Sequence, residues 1–294
     1  KFLESAPQGW AQAVLRIGED EDDGETIDVD EEPLALDALT NATVLRDAFT
    51  RYLAGAAQAD ALEAAWTRLR NAGAAPLGVF GEVVRDACAQ RIAGWAHELE
   101  HRGGRTQGFR VTGFGRATAA GAAVYPPLAL EVELGGRPRT VQLLGQTELY
   151  GVTCGALVLA NGEPKPRHRL RPAFDHLVMA AAGLADTGFK HLILSRTKTE
   201  AMTHDRWPAA DARRHLALLL RDLFAEGHGY LLSLEMAIDA MNDEPVEVEA
   251  PSDRGPGSIG YGPLGPRGDL DPPPDPRALA VRRLEPMWRR MKLS

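Results

Sequence analysis

One stretch constrains the fold more than any other. From Thr140 to Met179 the chain reads strand, turn, strand, basic loop, helix. Val141 to Glu148 reads as a strand, and Gly155-Ala156-Leu157-Val158-Leu159-Ala160 is an apolar strand with nothing charged on it. Lys165 to Arg171 is basic, and Pro172-Ala173-Phe174-Asp175-His176-Leu177 belongs to an amphipathic helix. Strands followed by an amphipathic helix predict an α/β chain, with a mixed sheet flanked by helices.

Composition narrows the class. The 294 residues suffice for one large domain or two small ones. With 44% hydrophobic and 25% charged residues the chain can bury a core. No apolar run is long enough to span a bilayer and no signal-peptide pattern opens the chain, so no membrane partner is expected. The opening Lys1-Phe2-Leu3 has no initiator Met and reads as a fragment of a longer protein. Only Cys88 and Cys154 occur, both in apolar surroundings, which fits free thiols in a reducing cytoplasm. The net charge of −8 is misleading, because residues 19–32 hold ten acidic groups and the remainder carries about +2. Pooled charge therefore does not exclude a nucleic-acid surface.

Four segments follow from the pattern. Residues 1–75 form a helical N-terminal segment with an acidic loop at 18–33. In it, helices are expected from about Thr43 to Leu53, capped by Asn41, and from Asp60 to Arg70. Residues 76–249 form the core, opened by a long helix from Val79 to His101. Strands are expected at Phe109–Gly113, Leu128–Leu134, Thr140–Leu144, Glu148–Thr153, Ala156–Leu159 and His191–Ser195, with Gly135-Gly136 as a hairpin turn. Helices follow at Arg169–Gly183, Pro208–Glu226 and Leu232–Met241. Residues 250–276, rich in Pro and Gly, read as a linker, and 277–294 as an amphipathic docking helix carrying Leu284, Met287 and Trp288.

Several motifs compete for a chemical role. A metal-dependent nuclease places one carboxylate at the end of its first strand, then an acid and a lysine two apart on the second. In one register Glu148 is the first acid while Val158 and Ala160 replace the second acid and the lysine, so no cation can be held. In the alternative register Glu148, Glu163 and Lys165 form a complete set and an active PD-(D/E)xK nuclease. Pro164 and the Asn161-Gly162 turn argue against it. The inactive register is the expectation. His97-Glu98-Leu99-Glu100-His101 matches the zinc hydrolase pattern HExxH, a further alternative with His97 and His101 as ligands and Glu98 as base. Glu100 at an inner position, the absence of a clear third ligand and the glycines that follow favour an exposed helix end. An acidic run at Glu19–Asp30 resembles a calcium loop and Gly183–Lys190 a phosphate loop, but both depart from the needed ligands. Lys165, Arg167, His168, Arg169 and Arg171 form the main basic cluster, readable as phosphate contacts or as a solvated helix start. Arg196 and Lys198 form a second patch. Phe109, Phe114, Tyr125 and Tyr150 among the strands read as core rather than as stacking platforms.

With these residues in hand, the chain resembles the C-terminal part of the RecC family, the gamma subunit of bacterial exodeoxyribonuclease V (RecBCD). Asp30-Glu31-Glu32-Pro33-Leu34-Ala35-Leu36-Asp37-Ala38-Leu39 resembles the family's D-E-x-P-F-x-L-x-x-L stretch. Leu69-Arg70-Asn71-Ala72-Gly73 through Pro76-Leu77-Gly78-Val79-Phe80-Gly81-Glu82 resembles R-x-x-G-x-L-P-x-G-x-F-G-E. Leu170-Arg171-Pro172-Ala173-Phe174-Asp175-His176-Leu177 with Ala180-Ala181-Ala182-Gly183 resembles L-x-x-W-x-x-H-L-x-x-x-A-x-G, with Ala173 in place of the usual Trp. The resemblance implies the fold of the RecB nuclease domain stripped of its catalytic residues. On that basis Arg85 stands at the helix histidine, Glu148 at the first aspartate, Val158 at the second and Ala160 at the lysine. It implies a non-catalytic domain that guides or separates DNA strands and docks RecB and RecD during recombinational repair. It further implies no cofactor in this chain, with Mg²⁺ and ATP used by the partner subunits.

Overall fold

The computed structural model of the chain describes residues 1–16, 33–102, 108–115, 123–151, 155–185, 189–225, 228–244 and 272–294. The acidic loop up to Glu32, Cys154 and residues 250–271 of the expected linker lie outside the described residues. α1 (Ala6–Trp10) runs into a π-helical turn (Ala11–Leu15). Three helices follow: α2 (Ala38–Leu53), α3 (Gln58–Asn71) and α4 (Gly78–Glu100). Asp37, not Asn41, caps α2, its carboxylate accepting from the N–H groups of Leu39 and Thr40 at 2.8 and 2.9 Å. An ionised cap also complements the helix dipole, so the helix begins five residues earlier than expected. Gly81 allows α4 to pass the Pro76 carbonyl, which any Cβ there would strike.

The sheet is mixed. Its strands are β1 (Arg110–Phe114), β2 (Ala123–Tyr125), β5 (Gly145–Gly151), β6 (Gly155–Leu159), β7 (Phe189–Leu194), β8 (Glu200–His204) and β9 (Met291–Leu293), in the order β2-β1-β5-β6-β7-β8-β9. β1 and β2 are parallel, as are β6 and β7; the other neighbours are antiparallel. β3 (Leu128–Leu134) and β4 (Arg137–Leu143) form a separate hairpin turned at Gly135 and Gly136, both at positive φ. Gly155 lets β6 start tight against β7, where a Cβ would collide with the Lys190 backbone.

Alternation along β5, β6 and β7 divides the interior. Leu149, Leu157, Leu192 and Leu194 face α2–α4 and share a core with Leu45, Phe49, Ile92 and Trp95. The N-terminal helices thus pack onto the same sheet as the strands of the expected nuclease-like unit. The other face is covered by α5 (Pro166–Ala181), α6 (Ala209–Phe224), α7 (Leu234–Met241), the β3–β4 hairpin and two short helices, α8 (Pro276–Arg283) and α9 (Glu285–Trp288). The C-terminal segment is therefore part of the fold. Leu284 and Met287 are in the main core, and β9 extends the sheet beyond β8. Arg283, 5% exposed, and Arg282 clasp Asp222 of α6 at 3.0 and 2.8 Å. Phe109 and Phe114 are core residues.

Candidate nucleic-acid interface

β5 delivers Glu148 to the mouth of a cleft of about 530 Å³. Two guanidinium groups hold its carboxylate, Arg46 of α2 at 2.7 Å and Arg171 of α5 at 3.6 Å. The register Leu149↔Leu157 places Glu148 on the same sheet face as Val158. There Val158, Ala160 and Ile193 make a small buried apolar cluster. Arg85 is elsewhere, paired with Glu63 of α3 at 3.3 Å. Beneath Glu148, Asp175 accepts its backbone N–H at 2.9 Å. Burial pushes the Asp175 carboxyl up to about 8, the hydrogen bond from the Glu148 backbone opposes this, and the Glu148 charge adds to it. At neutral pH it is a carboxylic acid.

β6 and β7 run parallel, so their C-terminal ends and the loops after them meet at one edge, where open α/β sheets bind ligands. Ala160 N–H donates to the Leu194 carbonyl at 2.8 Å and ties the two exits together. The loop after β7 is pinned by Ser195, whose Oγ accepts from the N–H groups of Lys198 and Thr197 at 2.9 and 3.3 Å. The loop after β6 ends sooner than expected. Pro166 already occupies the first turn of α5, where its missing N–H costs nothing, so Arg167, Arg169 and Arg171 lie on the helix itself. Lys165 N–H donates to His168 Nδ1 at 2.9 Å. Burial, then the charges of Arg167, Arg171 and Lys165, lower the His168 imidazole to about 4, keeping that nitrogen an acceptor.

The two expected basic patches converge on Glu200 of β8. Arg169 grips it through Nε and Nη2 at 3.0 and 2.9 Å, and Lys198 reaches it at 3.5 Å. Those hydrogen bonds hold the Glu200 carboxyl below the usual range. Arg169 and Arg171 are therefore internal ion-pair partners. Lys165, Arg167 and Arg196 have no ion pair among the described residues. Arg91 of α4, which carries no sequence signal, joins this surface. Its Nη1 donates to the Asn161 carbonyl at 2.8 Å, bridging α4 to the turn after β6. Between α4 and the β7–β8 loop lies a polar cleft of about 570 Å³ lined by Arg91, His97, Glu98, Arg102, Arg196 and Lys198, among others.

Among the described residues no group of three His, Cys, Asp or Glu side chains could hold a metal ion. His97 and His101 face each other, Nε2 to Nε2 at 3.1 Å, while Glu98 pairs with Arg102 at 2.7 Å. Glu163 is exposed in the bend after β6, and Lys165 is the exposed N-cap of α5. Among the described residues no helix is long and apolar enough to cross a membrane.

No curated protein sequence matches the chain. A family model described as the RecC C-terminal domain matches residues 1–238, ending within α7 and spanning every strand but β9. The chain belongs to the RecC C-terminal domain family.

Proposed function

We propose that this chain is a non-catalytic domain of a RecC subunit, with a degenerate PD-(D/E)xK core, which guides or separates DNA strands and holds RecB and RecD in the cytoplasmic repair complex. The observation that carries this reading is the state of Glu148. Its charge is balanced by Arg46 and Arg171, and the strand beside it offers only Val158 and Ala160. A divalent cation there would have to displace two guanidiniums and would find one ionised carboxylate. The basic edge at the exits of β6 and β7 supports contact with phosphates. Docking of companion subunits is supported by Leu77, Val79, Phe80 and Val83 at the start of α4, which are 55% to 72% exposed and adjoin one another along the chain.

Titration of the purified chain with Mn²⁺ and a nicking assay on duplex and single-stranded DNA test the reading. No scission and no saturable Mn²⁺ binding are expected. Scission that disappears in Glu163→Gln would establish the enzyme instead. Replacing Phe80 and Val83 by Asp is expected to leave melting unchanged and to reduce capture of RecB and RecD. Unaltered capture removes the docking role from this face.

A further inference from the structure

We infer that the cleft between α4 and the β7–β8 loop is a phosphate-binding site centred on Arg91 and Arg196. The two guanidiniums line the same cavity of about 570 Å³, with Gln90, His97, Thr197 and Lys198 around them. The carboxylate among the lining residues, Glu98, is already engaged by Arg102. Neither Arg91 nor Arg196 has a carboxylate partner among the described residues. One Nη of Arg91 is spent on Asn161, which fixes the side chain and leaves the rest of its fork open. Two like charges facing one cavity repel, and an anion between them removes the repulsion. Burial and the adjacent Arg196 charge both lower the pKa of Arg91, as an unrelieved pair requires.

The chemistry of the walls selects the anion. Guanidinium groups match phosphate oxygens in bidentate geometry. The backbone N–H groups of Thr197 and Lys198 are taken by Ser195, so recognition falls to side chains. Two aromatic rings line the cleft: Trp95 is buried and its Nε1 donates to the Ser195 carbonyl at 3.2 Å, while the exposed His97 packs edge-on against His101. The charges of the site address phosphate oxygens, which carry no sequence information. A nucleic-acid backbone and a free phosphate present the same oxygens; the first source rests on the proposed function, the second does not.

The test titrates the whole chain with labelled oligothymidylate and, separately, with inorganic pyrophosphate. Arg196→Gln is the informative variant, because Arg196 is exposed and outside the fold's ion pairs. It is expected to weaken oligothymidylate roughly 3- to 10-fold at low salt and to make the salt slope shallower by about one. Pyrophosphate binding should fall with it. Pyrophosphate binding that is lost in Arg196→Gln, with no oligothymidylate binding at all, keeps the phosphate site and removes the DNA reading. Oligothymidylate binding intact in Arg196→Gln but lost when Lys165 and Arg167 become Gln overturns the site and keeps the DNA reading. Failure of both probes to bind, or unchanged binding of both in Arg196→Gln, overturns the site outright.

Discussion

Asp175 holds its proton at neutral pH because the sheet and α5 bury it below the Glu148 charge. Between its ordinary value of 3.8 and about 8 the folded chain binds a proton that the unfolded chain releases. Stability contributed below that window is lost as pH rises through it. Asp175→Asn should therefore melt at a more constant temperature than the parent between about pH 5 and pH 8.5. An identical fall in both proteins would show that Asp175 does not drive it. The histidines act in the opposite sense. Burial lowers His176 and His191 to about 4 and His204 to about 2. His191 Nδ1 and His204 Nε2 lie 2.7 Å apart, and His176 stacks on Phe189 with no hydrogen-bond partner for its Nε2 among the described residues. Across that range the unfolded chain binds more protons, so stability present above 6.5 is lost as pH falls toward 4. His176→Phe should flatten the acid side of a melting-temperature profile, and an unchanged acid limb would contradict this.

Helices were legible wherever the apolar period ran uninterrupted. The expected Asp60–Arg70 segment is α3, Gln58–Asn71, and Val79–His101 is α4, Gly78–Glu100. Strands were legible where apolar or β-branched residues recurred, even on the largely exposed β4. β8 escaped because its buried positions carry Glu200 and His204, residues that Arg169 and His191 satisfy from other elements. β2 and β9 escaped because three residues carry no period. The helix expected at 277–294 is two helices and a strand, since Glu285-Pro286 restarts the chain after α8. Beside the core contacts of Leu284 and Met287 and the β8–β9 ladder, it is fastened by the Asp222 clasp, a buried ion pair whose disruption strands Arg283 without a counter-charge. Asp222→Ala should cost about 3–5 kcal/mol in denaturant unfolding, more than Arg282→Ala, which loses a half-exposed partner. Equal and small losses would mean that the clasp is not what fastens α8 to α6.

The candidate surface could be read from sequence as residues but not as a place. Lys165, Arg167, Arg196 and Lys198 stand out by charge. Their convergence depends on β6 and β7 lying side by side in parallel, and Arg91 arrives from seventy residues before Asn161. Pairwise attachments also divide the basic residues into two kinds. Replacing Lys165 and Arg167 by Gln should weaken DNA binding by the assembled complex and make its salt slope shallower by about two, with melting unchanged. Arg169→Gln should instead lower the melting temperature, because Glu200 has 4% side-chain exposure and would lose its bidentate partner. The reverse pattern would place Arg169, not Lys165 and Arg167, on the DNA. On the same scale, β9 has a consequence for how the molecule is assembled. Met202 and Leu293 are partners although they lie ninety-one positions apart, and helices of the main core lie between. Loop-closure entropy predicts that this ladder closes late, after a long loop has been drawn in. Until it does, β8 is a bare edge with unmet amide groups. An interrupted synthesis or a trimmed tail should thus reveal itself first as chains sticking together edge to edge, while their helical signal is still nearly whole.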